Sequence, residues 1–150
     1  MKPYFATKER QEELRRAVSA WDGTPFKHFS NVKGLGVDCN HYVLSVYRLA
    51  GFHVKIKLEP YAQDRHLHVA QEVLLTHVRS IDVLKEVNKN NPVNGDLLLY
   101  KFGLATSHPG IYCDGRICQS ILRAGACSRT SFNEPMFNKR LTYVFRPMEL

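Results

Sequence analysis

From residue 107 to residue 121 the chain reads Ser107-His108-Pro109-Gly110-Ile111-Tyr112-Cys113-Asp114-Gly115-Arg116-Ile117-Cys118-Gln119-Ser120-Ile121. Asp-Gly is a two-residue hairpin turn, because both residues tolerate a positive φ and the resulting twist matches that of the flanking strands. The turn sets the register: Cys113 lies opposite Arg116, Tyr112 opposite Ile117, Gly110 opposite Gln119 and His108 opposite Ile121. Successive side chains point to opposite faces, so His108, Gly110, Tyr112, Ile117, Gln119 and Ile121 share one. His108 and Gln119 become diagonal neighbours there, within reach of long side chains. An amide oxygen that accepts from one imidazole nitrogen fixes the tautomer and leaves the other nitrogen available as a base.

Outward from this hairpin, residues 97–102 and 141–146 are further short apolar or alternating runs divided by turn residues, which read as strands. Upstream of Asn94 the period is helical. Residues 8–21 carry Leu14, Ala17, Val18 and Trp21 on one stripe, with Thr7 as N-cap. A second helix starts at Asp38 and places Tyr42, Val43, Val46, Tyr47 and Leu49 on its apolar side before stopping at Gly51. A third is expected over residues 65–79, from Leu67, Val69, Val73, Leu74 and Val78. The Gly- and Pro-punctuated stretch 22–36 reads as an irregular surface loop, and a loop of that length in a compact domain is usually functional. Helices first and strands after predict an α+β fold, with N-terminal helices packed on a C-terminal antiparallel sheet. One domain over residues 1–150 is expected, since 150 residues can bury a sufficient core and no repeat or linker divides them.

Cys39 falls in the first turn of the second helix, where unpaired N–H groups and the helix dipole favour a thiolate; Asp38 caps the helix while its charge opposes that effect. The same N–H groups suit a developing oxyanion. Cys39, His108 and Gln119 thus form a candidate nucleophile, base and orienting residue for amide hydrolysis. Gly110 beside the base is expected either to leave the strand open to an extended peptide or to permit close packing. His28, His41, His53, His66, His68 and His77 are rival imidazoles. The i,i+2 spacing of His66 and His68 on a helix turns their rings apart, so no metal and no cofactor is expected. Cys113, Cys118 and Cys127 match no paired zinc spacing and read as reduced, buried thiols.

Hydrophobic residues make up 44% and charged residues 23% of the chain, which excludes a disordered or fibrous protein. The net charge of +7 favours an anionic partner. Its lysines and arginines are scattered without interleaved aromatics, so nucleic acid is not the expected one. Residues 1–16 lack the apolar core of a secretory signal and no run of 18 apolar residues occurs, so cytoplasmic synthesis without a membrane span is expected.

In five places the sequence resembles the NlpC-type cell-wall cysteine peptidases, which are papain-like enzymes in circularly permuted order, and among them the small phage-tail and gene-transfer-agent members. Trp21-Asp22-Gly23-Thr24-Pro25-Phe26 is similar to the family's W-x-G-T-P-Y entry, and Gly34-Leu35-Gly36-Val37-Asp38-Cys39 to the G-x-G-x-D-C before the nucleophile helix. Asn94-Gly95-Asp96-Leu97-Leu98-Leu99 resembles the G-D-apolar strand, and Ser107-His108-Pro109-Gly110-Ile111-Tyr112 the strand of the base. Arg140-Leu141-Thr142-Tyr143-Val144-Phe145-Arg146 resembles the closing strand of the phage-tail group. The resemblance implies Cys39 as nucleophile, His108 as base and Gln119 as third polar residue, where the family more often has His. It implies substrate contacts near Phe26, Asp38, Asn40 and Gly110, and hydrolysis of a D-glutamyl-diaminopimelate or related amide in peptidoglycan stems. It further implies a place on a phage-like tail tip among baseplate proteins, with the virion delivering the enzyme. Three positions depart from the pattern: Phe26 replaces a substrate-binding Tyr, Asn40-His41 replaces a small pair, and Pro109 removes a backbone donor beside the base. The departures favour one alternative, a structural tail-tip protein that has lost activity; another is an amidase or acyltransferase on the same fold, whose sign would be a long apolar acyl groove.

Overall fold

A computed structural model describes residues 1–55 and 72–150. After a short strand β1 (Lys2–Pro3) comes helix α1 (Lys8–Trp21), whose N-cap is Thr7, its side chain accepting from the Arg10 N–H at 3.2 Å. Leu14, Ala17, Val18 and Trp21 are all buried, as the stripe requires. The stretch after α1 is more ordered than its punctuation suggests. Strands β2 (Asn31–Val32) and β3 (Gly36–Val37) pair antiparallel, with Gly34 at φ +83° in the turn between them. Helix α2 (Cys39–Leu49) follows, capped by Asp38 and ended before Gly51 at φ +93°. Helix α3 (Val73–Arg79) is the described end of the predicted third helix and buries Leu75 and Val78; residues 65–71 of that helix, His66 and His68 among them, lie outside the described residues.

The remaining elements are β4 (Leu84–Val87), β5 (Leu97–Phe102), β6 (Ala105–Cys113), β7 (Arg116–Ile121), β8 (Ala126–Ser131), α4 (Pro135–Asn138) and β9 (Leu141–Glu149). They form an antiparallel sheet in the order β8-β7-β6-β5-β9-β1, with β4 also pairing β9. Asp114 at φ 51° and Gly115 at φ 77° make the expected turn, and Cys113 pairs Arg116 and Tyr112 pairs Ile117 as the turn dictates. Sequence patterning missed β1, β4 and β8. These are short or partly exposed strands whose alternation carries too little apolar contrast to stand out. β1 also breaks the order of helices before strands, because the N-terminus returns to extend the β9 edge.

Two apolar layers flank the sheet. On one face Leu97, Leu99, Ile111 and Cys118 pack against Leu14 and Val18 of α1 and Tyr42 and Val46 of α2. On the other face Leu98, Tyr100, Ile117 and Val144 pack around Phe137 of α4. A buried ion pair ties the start of β5 to β9: the Arg146 guanidinium donates to both carboxylate oxygens of Asp96, at 2.9 and 2.8 Å, while Asp96 also accepts from the Val93 N–H. No helix among the described residues is long and apolar enough to cross a membrane.

Candidate active site

The hairpin places His108 and Gln119 together as its register requires. His108 Nε2 lies 2.7 Å from Gln119 Oε1, with His108 only 7% exposed and Gln119 fully buried. The amide is oriented from behind, because Gln119 Nε2 donates to Thr130 Oγ1 of β8 at 3.2 Å. With the amide nitrogen committed to Thr130, its oxygen faces the ring and accepts the Nε2 proton, so Nδ1 carries the lone pair. The imidazole is packed among Tyr100, Phe102 and Phe137, with ring centroids 5.8 to 6.4 Å away. These rings keep water from it and limit its rotation.

A register shift lies beside it. Tyr100 pairs with His108 but Lys101 pairs with Thr106, leaving Ser107 as an extra residue in β6. Such a bulge bends a strand and re-aims neighbouring side chains, and bulges are over-represented next to active sites.

The α2 start is built by different contacts. Asp38 is 1% exposed; its Oδ1 accepts from the His41 backbone N–H at 2.8 Å, which is the helix cap, and lies 2.9 Å from His41 Nδ1. Ser120 Oγ of β7 donates to the Val37 carbonyl at 2.8 Å, so the strand that carries Gln119 also anchors the residue before the cap. Asn40 and Pro109, the chain neighbours of Cys39 and His108, both line an apolar depression between α2, α3 and the sheet, together with Val43, Tyr47, Leu74 and Val78. The N-terminus of α2 and the imidazole-bearing end of β6 therefore adjoin. His108 itself belongs to the sheet face that α4 covers, whereas the body of α2 covers the other.

Cys39 is partly exposed, but the expected preference for thiolate is reversed. Removal of its sulfur from water, and next the charge of Asp38, push the thiol up to about 12, outweighing the backbone N–H groups of Asn40 and Cys39 that favour the anion. Two or three dipoles at a helix start are too few to offset desolvation combined with a neighbouring carboxylate. Cys113, Cys118 and Cys127 are buried and unpaired by disulfides, and burial raises Cys127 to about 11.

The remaining predicted residues are placed as follows. Phe26 is partly buried, forms a parallel bridge to Val37, and its N–H donates to the Gly125 carbonyl at 2.8 Å. Gly110 does not leave an open surface: a Cβ there would stand 2.8 Å from Ile117 Cγ2 and 3.8 Å from Gln119 Cβ, so the missing side chain makes room for β7. Thr130, Ser120 and the aromatic rings around His108 had no signal in the sequence, because their roles depend on strand pairings formed in space. Among the described residues no three His, Cys, Asp or Glu side chains are grouped as a metal site.

The sequence model of the NlpC/P60 family matches residues 21–146. No curated protein matches the sequence. Among solved structures, an NLP/P60-family protein of Staphylococcus aureus, described as similar to a lipoprotein, superposes with a TM-score of 0.67 at 17% identity over 99% of this chain; the chain spans 44% of that protein. The peptidoglycan hydrolase RipB of Mycobacterium tuberculosis gives a TM-score of 0.63 at 16% identity, covering 99% of this chain and 69% of RipB. RipD of the same organism, described as a non-catalytic NlpC/p60 domain protein adapted to peptidoglycan binding, gives 0.59 at 13% identity, covering 95% of this chain and all of RipD.

Proposed function

The chain belongs to the NlpC/P60 family of peptidoglycan hydrolases, and from that premise we propose that it is a cysteine peptidase cutting an amide bond in peptidoglycan stem peptides, of the D-glutamyl-diaminopimelate type. The observation that carries the reading is the buried 2.7 Å contact of His108 Nε2 with Gln119 Oε1, on the strand whose next residue shares a depression with the neighbour of Cys39. In this reading Cys39 is the nucleophile, His108 the base and Gln119 the orienting residue. In this reading the sulfur must meet the ring around the end of the sheet, where β6 carries its bulge and where Asn40 and Pro109 line one depression.

The chemistry follows from the protonation states. A thiol raised to about 12 attacks only as its proton leaves, so His108 Nδ1 takes that proton while Sγ bonds to the substrate carbonyl carbon. The resulting imidazolium keeps its Nε2–H on Gln119. Backbone N–H groups at the start of α2 receive the oxyanion, the C–N bond breaks as the imidazolium protonates the leaving amine, and water then hydrolyses the thioester. The resemblance puts Phe26 and Asn40 in the substrate site, with the buried Asp38 acting there through its helix cap; Gly110 contributes by making room for Ile117 of β7, the strand that carries Gln119, rather than by contact.

A tail-tip position on a phage-like particle is part of the proposal and rests on the likeness of residues 140–146 to the closing strand of the tail-associated members. A second reading, a wall-binding protein without catalysis, draws support from the raised Cys39 thiol and from the non-catalytic description of RipD. Incubation of purified stem peptides with wild type and Cys39→Ala, read by mass spectrometry, separates the two. New peptide ends from wild type alone are expected. Retention on wall fragments with no cleavage by either protein would establish the binding role instead.

A further inference from the structure

His41 stands where the resembled family has a small residue, and in this fold it is not idle. Among the described residues its backbone N–H and its ring are the two donors to the Asp38 carboxylate, and both engage Oδ1. Asp38 Oδ2 is buried with no hydrogen-bond partner among the described residues. A carboxylate accepts at Nδ1 only if Nδ1 carries the proton, so the ring is held in that tautomer. The clasp is braced by Phe29, a non-glycine residue at φ 47° whose ring stands edge-on to the His41 ring, with centroids 5.0 Å apart at 85°. A bulky residue held in the left-handed region is costly and persists where surrounding contacts over-determine it.

We propose that His41 is a positioning residue for the Cys39 thiol, acting through Asp38: the ring N–H partly offsets the field that the neighbouring carboxylate exerts on the thiol. The proposal deepens the nucleophile assignment given above and rests on it. Physically, Asp38 is the charged neighbour that opposes ionisation of Cys39, and a charge-assisted hydrogen bond to a buried carboxylate offsets part of that field. Among the described residues the charged group beside the thiol is Asp38, with His41 bound to that carboxylate and, in the proposed mechanism, His108 from β6. Without the ring N–H, Asp38 keeps only its backbone donor and its charge acts more fully on the sulfur.

The test reads the thiol directly, so it does not depend on which peptide is cut. Alkylation of Cys39 by iodoacetamide is followed by mass spectrometry between pH 7 and pH 11 in the full chain. His41→Phe and His41→Leu, which remove the donor at a partly exposed position, are expected to slow labelling by about three- to tenfold at a given pH and to displace the profile upward by about half to one pH unit. His41→Asn, whose side-chain nitrogen falls near the place of Nδ1, restores the wild-type profile. In an Asp38→Asn background, where the cap survives without the charge, His41→Phe changes nothing beyond twofold. The proposal is overturned if folded His41→Phe or His41→Leu labels as wild type does, or if the slowing persists in Asp38→Asn. Equal slowing in His41→Asn, showing that the intact ring rather than its donor matters, overturns it too. A peptidase reading that failed while these profiles held would leave the effect of His41 on the thiol standing and remove only its catalytic use.

Discussion

Replacing Gln119 by Leu tests the site at its best-defined contact. Leu is close in volume to Gln but has no acceptor, so the buried Nε2–H of His108 loses its partner, while Thr130, which is partly exposed, turns to water. A buried donor left unpaired costs about 1–3 kcal/mol of stability, which at about 2–4 °C per kcal/mol in a domain of this size is a readable fall in Tm. The effect on rate should be larger than that on binding. When His108 takes the thiol proton the ring becomes cationic, and a hydrogen bond to a charged donor contributes about 1.5–3 kcal/mol. At 1.36 kcal/mol per factor of ten this is about a 10- to 150-fold loss in kcat, with KM little changed because the amide never meets substrate. Gln119→His, the residue more usual in the resembled family, keeps an acceptor and should lose less. The assay is steady-state cleavage of a purified stem peptide alongside thermal unfolding of each variant. A folded Gln119→Leu protein with kcat within twofold of wild type would refute the assignment of Gln119 as the residue that orients the base.

Arg146→Met strips the partner from Asp96, which is fully buried; denaturant unfolding should show a loss of about 3 kcal/mol, the lower end for a broken buried pair because Arg146 keeps some contact with water. Gly110→Ala forces a methyl against Ile117 Cγ2 and should cost about 1–3 kcal/mol by the same measurement, and it should lower kcat by displacing β7, the strand that carries Gln119. Alkylation of Cys39 should climb about tenfold per pH unit through pH 10 and be up to about a thousandfold slower at pH 8 than for an ordinary thiol; a plateau reached near pH 7 would reveal a preformed thiolate–imidazolium pair instead. The same shifts predict a stability trend. Cys39 and Cys127 hold their protons to about 12 and about 11 in the folded chain, against 9.0 ordinarily, so their contribution is intact below pH 9 and is lost as pH rises through the folded values. Melting temperatures that rise between pH 9 and pH 11 would contradict this.

Local chemistry made much of the site legible before any fold was known. Thr7 and Asp38 cap helices because a short side-chain oxygen satisfies an N–H that the first turn leaves unpaired, and both do so here. Asp114-Gly115 fixed a register, and the register alone brought His108 to Gln119. Where long-range pairing ruled, the sequence was silent: β8, which supplies Thr130, carries four polar residues in a row at 128–131 and gives no apolar alternation to read. Residues 22–36 looked irregular because Gly and Pro mark turns without saying that Asn31 and Val32 pair with Val37 and Gly36.

The sequence by itself determined which residues begin helices, where the hairpin turns and which side chains share its face, since each depends on torsions and donors within a few residues. Only the tertiary structure decided the electrostatic setting of Cys39. Ionisation depends on how much water the packed elements exclude from the sulfur and on the field of Asp38 in that low-dielectric surrounding, and these exist only once α2 lies against β6 and β7.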